Sequence, residues 1–287
     1  MIDERILTDK KSIKFHVNNF LESIRVDLVG KTVVDMPAGS GSTTEILLKI
    51  GANVDSYDLF PEYFMVENHE CKRANIMDGL PNDPNYADWV ICQEGLEHFS
   101  DQLTALREFN RVLKLNGKLL LTVPSYSNLA SKFSYLMFES EDTKHMPPNE
   151  LCDIWMSEKT LTAEIYYGHI FLIGLQKLRT LAKLSGFKIE TIRYVRLSKL
   201  SLFLFPFLYP FIFVQSYRAY YRNLKKHPQI PLNAKKQVFT EQLKINISPM
   251  NLLNKHSFIV FEKECDVTQI HEKLEQLQFS HTFDKVM

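Results

Sequence analysis

The sequence predicts an α/β protein built on a mostly parallel sheet. Three observations predict it. Short β-rich runs alternate with helical stretches across residues 31–123. A glycine turn joins the first of those runs directly to a helix. The 287 residues are 45% hydrophobic and 24% charged, enough apolar side chain to bury a substantial core and too much for a disordered chain.

The elements follow in order. Residues 1–30 form an N-terminal helical segment, charged as far as Lys14 and lacking the apolar stretch of a secretory signal. Residues 31–35 (KTVVD) make a buried strand. Residues 42–50 make a helix whose Ser42-Thr43-Thr44-Glu45 opening has capping-box form and which stops at Gly51. A second strand covers 53–57, a helix starts near Pro61, a third strand covers 72–76 and a fourth 87–92. Ser100 caps a helix whose stripe is Leu103, Leu106, Phe109 and Leu113, and Asn116-Gly117 turns the chain into a strand at 118–123. The irregular stretch after Pro124 exceeds an ordinary loop and reads as a lid insertion at 125–168. A helix over 170–185 ends at Gly186, a strand follows at 187–195, and residues 256–262 (HSFIVFE) make the last strand.

Charge and cysteine usage exclude several function classes. Lys plus Arg and Asp plus Glu each number 34, so no global field favours nucleic acid. The four cysteines, Cys71, Cys92, Cys152 and Cys265, are widely spaced and form no CxxC pair, which argues against a structural zinc site or a disulfide scaffold. A reducing, cytoplasmic setting is expected.

The chemistry lies in the turn. The first strand runs into Met36-Pro37-Ala38-Gly39-Ser40-Gly41 and then a helix, the arrangement of a nucleotide-type cofactor site. An acid, Asp58, ends the second strand 23 residues beyond Asp35, the spacing at which a carboxylate accepts from both ribose hydroxyls. The dinucleotide fingerprint places a small residue three positions after the second glycine, and here that residue is Thr44. The pattern therefore suits S-adenosylmethionine, with its ribose, adenine and zwitterionic tail, better than NAD.

Residues 33–41, Tyr57-Asp58, 75–80 and above all 87–124 (ADWVICQEGLEHFSDQLTALREFNRVLKLNGKLLLTVP) resemble the class I S-adenosylmethionine-dependent methyltransferases, in particular their type 11/23-like domains. The resemblance covers residues 31–124. It implies a Rossmann-like, seven-stranded, mostly parallel sheet with helices on both faces, occupying 31–195 and 255–263 with the lid inserted. Residues 196–254 are then an apolar and basic appendage, and 264–287 a C-terminal helix or tail. The resemblance further implies that Asp35, Pro37, Ala38, Gly39 and Gly41 meet the methionine end of the cofactor, and that Asp58 with Leu59 meets the ribose. By the same carry-over Asp78 meets the adenine amino group, Ile76 or Met77 packs on the ring, and Gln93 and Glu94 flank the sulfonium. Pro37 departs from the family, which usually has glycine there, and it supplies no N–H.

On the acceptor side His98, His145 and His169 are the general-base candidates, with His98 and His169 preferred. Structural readings stand beside them: His98 can cap or pack on the next helix, His169 can hydrogen-bond at a helix entry, and Asp78 can form an Asp-Gly turn. No carboxylate/His cluster has metal-ligand spacing, so no metal is expected. Between Glu190 and Glu241 there is no acid, while nine Lys and Arg surround the apolar run 200–214 (LSLFLFPFLYPFIFV). That run is short for a bilayer span and is interrupted by Pro206 and Pro210. With Arg218, Tyr220, Tyr221 and Arg222 beyond it, residues 196–226 suit an anionic membrane surface, on the inner face for a cytoplasmic protein. Burial under the lid or against a second copy in a homodimer is the alternative. A looser resemblance of 168–226 to methyltransferases of glycan and lipid biosynthesis tilts the acceptor toward a small-molecule or glycan/lipid-linked hydroxyl. The competing functions are a non-catalytic cofactor-binding or membrane-associated interaction protein and an NAD-dependent oxidoreductase.

Overall fold

The computed structural model of the protein describes residues 8–156 and 165–279. The beginning of the N-terminal segment, residues 157–164 of the insertion and the end of the C-terminal tail lie outside the described residues. Among the described residues there are nine strands: β1 Thr32–Asp35, β2 Asn53–Asp58, β3 Cys71–Arg73, β4 Ala87–Gln93, β5 Leu113–Pro124, β6 Ile154–Met156, β7 Ile165–Tyr167, β8 Phe187–Arg193 and β9 His256–Lys263. The helices used below are α1 Ile13–Ser23, α2 Ser42–Ile50, α3 Gln102–Val112, α4 Leu129–Phe138, α5 Leu175–Lys183, α6 Lys199–Lys225 and α7 Leu232–Ile247.

Seven strands form one sheet, the number the resemblance implies, in the order β3-β2-β1-β4-β5-β9-β8. β1 to β5 pair in parallel, and β9 runs antiparallel to both β5 and β8. Alternation along the pleat sends neighbouring side chains to opposite layers. Val33, Trp89, Ile91, Leu120 and Phe258 pack with Val17, Phe20 and Leu21 of α1 and Ile46 and Leu47 of α2. Val34, Val90, Leu119 and Leu121 pack with Leu106 and Phe109 of α3 and Leu178 and Ala182 of α5. The strand order reverses between β1 and β4, which leaves a crevice beyond their carboxyl ends.

Several local expectations are corrected. The stretch after Pro61 is a single 3-10 turn, Pro61–Tyr63, and β3 is only three residues long, so 74–77 leave the sheet. Gly41 rather than Ser42 caps α2 and makes no side-chain cap bond. The Ser-Thr-Thr hydroxyls are engaged instead by tertiary partners: Lys14 Nζ donates to Ser42 Oγ, Thr43 Oγ1 to Gln93 Oε1, and Thr44 Oγ1 to Asp35 Oδ2. Asp101, not Ser100, caps α3, accepting from the backbone of Leu103 and Thr104 at 3.0 and 3.1 Å. The helix expected over 170–185 is split into a turn at His169–Phe171 and α5.

The largest correction concerns the apolar run, which is not broken at its prolines. Pro206 and Pro210 lie inside the continuous 27-residue α6. Each removes a backbone donor, yet rings four residues apart pack along one side: Phe205 on Tyr209 at 4.5 Å, Tyr209 on Phe213 at 6.1 Å, Phe213 on Tyr217 at 4.7 Å and Tyr217 on Tyr221 at 6.4 Å. Polar contacts dock the helix. Tyr209 Oη donates to Ile247 O at 3.1 Å and Asn246 Nδ2 to Ser216 Oγ at 2.6 Å, both fixing it along α7. Ser201 Oγ donates to Asn128 Oδ1 at 3.1 Å, tying its start to the cap of α4. Leu202, Phe203, Phe207, Phe211 and Val214 remain exposed.

Candidate functional site

The crevice at the strand-order reversal is a cavity of about 800 Å³. Its floor comes from the β1–α2 turn, its sides from the residues after β2, β3 and β4, and its cover from Ile165, Tyr166 and Tyr167 of the insertion. Lys14 of α1 lies at its edge. Parallel strands end together here, so residues separated by 60 positions or more meet because each follows its own strand.

Asp58 is 8% exposed and held by backbone donors on both oxygens: Gly39 N to Oδ2 at 2.7 Å and Phe60 N to Oδ1 at 2.8 Å. Each carboxylate oxygen can accept a second bond, so the acid is fixed in place with capacity left toward the cavity. Asp35 is fully buried below the turn, its Oδ2 taken by Thr44 Oγ1 at 2.6 Å and its Oδ1 without a partner among the described residues. Burial, with the Asp58 charge adding to it and the Thr44 hydrogen bond opposing, pushes the Asp35 carboxyl up to about 7.

Of the residues carried over from the sequence, Pro37, Ala38, Gly39, Asp58, Leu59, Met77, Gln93, Glu94 and His98 line the cavity. Asp35, Gly41, Asp78 and His169 do not. A Cβ on Gly41 would run into Val66 Cγ2 and come within 2.7 Å of Phe64 Cε2, so this glycine admits the 64–66 loop rather than a ligand. Asp78 donates its backbone N–H to Asn75 O at 3.0 Å, the turn alternative of the sequence reading, and Ala74, Asn75 and Ile76 line the wall instead.

His98 is held by donation from Nδ1 to Tyr167 O at 2.6 Å, since a carbonyl only accepts. Its ring lies 4.7 Å from that of Tyr166. Burial keeps its pKa below the usual value, so at neutral pH Nε2 carries a free lone pair. His169 Nδ1 pairs with Glu141 Oε1 at 2.8 Å, a contact that raises its pKa. His145 is exposed in the insertion and does not line the cavity. Glu94 adopts φ +48°, a conformation costly for a residue with a Cβ, and its Oε2 lies 3.1 Å from His256 Nε2.

Sequence reasoning missed three contributors. Lys14 enters from a helix outside the motif block. Tyr166 comes from the insertion. Glu97, although inside the Glu94-Gly95-Leu96-Glu97-His98 stretch, is 1% exposed and meets His98 and His169 only in the fold. Spacing in the sequence does not reveal this group, because its third member lies 71 residues beyond His98.

Residues 34–121 match the family model described as a methyltransferase domain. Over this stretch the chain is similar to the class I S-adenosylmethionine-dependent methyltransferases, as the sequence resemblance implies. A ubiquinone biosynthesis O-methyltransferase of Xanthomonas oryzae pv. oryzae is 32% identical over 109 residues, 35% of this chain and 46% of the relative. Its counterpart in Xanthomonas campestris pv. campestris is 32% identical over 107 residues, 34% of this chain and 45% of that one. The matched stretch thus spans about half the length of these relatives. In fold the chain is similar to a SAM-dependent methyltransferase from Archaeoglobus fulgidus, at a TM-score of 0.50 and 15% identity over 91% of this chain and all of that one. S-adenosylmethionine is the cofactor of this superfamily, and the cavity's donor set fits it. Asp58 offers acceptors for a ribose, Ile76, Met77 and Phe99 an apolar slot for a purine, and Lys14 a cation for a carboxylate.

Proposed function

We propose that this protein transfers the methyl group of S-adenosylmethionine to an oxygen of a lipophilic or lipid-linked small molecule, working from an anionic membrane surface. The observation that carries the transfer reading is the cavity itself, where a backbone-anchored Asp58 and the open approach over Gly39 face His98 across one space. When bound, the cofactor supplies an electrophilic methyl on sulfur. The chain's task is then to hold an acceptor oxygen in line with it, an effect that can supply about 7 to 11 kcal/mol. His98 Nε2 takes the acceptor's proton, with Tyr167 O fixing the ring, and the buried walls exclude competing water. His169, tied to Glu141, acts behind it as a positioning residue. Residues 125–168, whose Ile165–Tyr167 strand covers the cavity, act as the lid.

Two observations support the acceptor and the location. The relatives that match over this stretch are named for O-methylation in ubiquinone biosynthesis, a lipophilic product class. Phe203, Phe207 and Phe211 repeat every fourth residue on the exposed face of α6, with Arg196 and Lys199 at one end and Arg218, Arg222 and Lys225 at the other. The helix is long and apolar enough to cross a membrane. Its hydrogen bonds to the polar helix α7 favour lying in the interface over spanning it.

The test is calorimetric titration with S-adenosylhomocysteine, with NAD in parallel, followed by transfer of labelled methyl to quinone-precursor phenols and lipid-linked glycans. Binding of the homocysteine form alone, with label leaving the cofactor, supports the proposal. Binding without transfer to any acceptor favours the non-catalytic reading. For the membrane, full-length protein should sediment with anionic liposomes at low salt, and Phe203→Ser/Phe207→Ser/Phe211→Ser should not.

A further inference from the structure

Donor atoms of Glu97, His98 and His169 lie within 4.8 Å of one another, beside the cavity and outside the set that would hold the cofactor. We infer that these three side chains form a binding site for a divalent transition-metal ion in the cavity wall.

Four features carry this. First, Glu97 is 1% exposed, yet among the described residues neither of its carboxylate oxygens has a hydrogen-bond partner. Burying a carboxylate without partners is strongly unfavourable, so the group calls for a cation or a proton. Second, the two histidines are oriented as metal ligands are. Each gives its Nδ1–H to an oxygen, Tyr167 O for His98 and Glu141 Oε1 for His169, which leaves Nε2 as the ring nitrogen available to an ion. A carbonyl or carboxylate on the far nitrogen is the usual outer support of a metal-bound imidazole. Third, the spacing is close to that of a ligand set. Donors about 2.1 Å from a tetrahedral ion are about 3.4 Å apart, and His98 Nε2 already lies 3.9 Å from Glu97 Oε1. Fourth, Glu94 stands beside the cluster with a buried Oε1 that has no partner among the described residues, in the left-handed conformation described above.

Two imidazoles and a carboxylate favour zinc, iron, cobalt or manganese over magnesium or calcium, which prefer all-oxygen sets. His98 and Glu94 line the cavity while Glu97 and His169 do not, so the ion would be held from behind with a coordination position open toward the acceptor. With the ion bound His98 Nε2 is a ligand and no longer the base, and an acceptor hydroxyl on the ion would lose its proton more readily, to the Glu94–His256 pair at the cavity. That role rests on the methyltransferase reading, whereas binding of the ion rests on the side chains alone.

The experiment uses tag-free, full-length protein stripped with a chelator and titrated with Zn²⁺, Mn²⁺ or Mg²⁺ alone. Zn²⁺ or Mn²⁺ should bind one per chain at micromolar concentration, more tightly than Mg²⁺. Glu97→Gln, His98→Ala and His169→Ala should each weaken binding at least tenfold, and His145→Ala, at an exposed histidine outside the cluster, should not. A Co²⁺ titration of the unsubstituted protein reads nitrogen ligation from the visible spectrum, so the test survives a variant that fails to fold. No saturable binding, or equal binding by a folded His98→Ala/His169→Ala protein, overturns the site. S-adenosylhomocysteine titration of the same samples separates the two claims: metal binding without cofactor binding refutes the transfer reading and leaves the metal site standing.

Discussion

Gly39 and Gly41 look equivalent in sequence, two glycines of one turn, but the structure assigns them opposite roles. Both have left-handed backbone, φ +54° and +86°, where a Cβ costs about 1 to 2 kcal/mol. At Gly39 an added Cβ meets nothing within 4 Å, and the residue lines the cavity. Gly39→Ala should therefore lose only that backbone term in stability. Its methyl would take space on the cofactor's approach, and S-adenosylhomocysteine affinity should drop at least tenfold, about 1.4 kcal/mol. At Gly41 the added Cβ would collide with Val66 and press on Phe64 at 2.7 Å. Overpacking of that kind adds about 1 to 3 kcal/mol, so Gly41→Ala should lose about 2 to 5 kcal/mol. The folded fraction should bind the cofactor within threefold of the parent. Urea denaturation and calorimetric titration of both variants measure the two quantities. The reasoning is refuted if Gly39→Ala is the less stable of the pair, or if Gly41→Ala is stable but has lost the cofactor.

Other outcomes follow from single residues. Asp58→Ala removes charged acceptors from two backbone donors and from the ribose position, and cofactor affinity should weaken by more than about 1.5 kcal/mol in calorimetry. For Asp35 the folded carboxyl titrates above the unfolded one, 3.8 rising to about 7. Its contribution is therefore fully present below pH 4 and is lost as pH rises through about 7, at most on the order of 4 kcal/mol. The stability gap between the parent and Asp35→Asn should accordingly shift against the parent between pH 4 and 8, and a pH-independent gap would contradict it. Lys263 is fully buried, with Nζ donating to Asn110 O, Leu113 O and Asn85 Oδ1 at 2.8 to 2.9 Å. Lys263→Met should unfold at markedly lower urea, losing about 3 kcal/mol or more, with cofactor affinity of the folded protein unchanged.

Much of the fold and half of the site were legible in the sequence, for a local reason. Strand, turn and helix signals act over a few residues, so the run from β1 to β5, the turn at Pro37–Gly39 and the acid ending β2 could be read directly. In a parallel sheet, moreover, strand ends collect on one side, and motif residues that close a strand arrive at the crevice together. Tertiary contacts decided the rest. Thr44 turned from a break in the dinucleotide fingerprint into a partner of buried Asp35, and Gly41 from a ligand glycine into a packing glycine beneath Phe64 and Val66. Pro206 and Pro210 were accepted within a helix because ring pairs and the bonds to α7 outweigh two missing N–H groups. The meeting of Glu97 and His98 with His169 depended on the insertion folding back over the β4 end. Local pattern determines which residues can form an element, whereas the partners of a buried polar group depend on chain segments far away in sequence, and only the closed fold sets their distance.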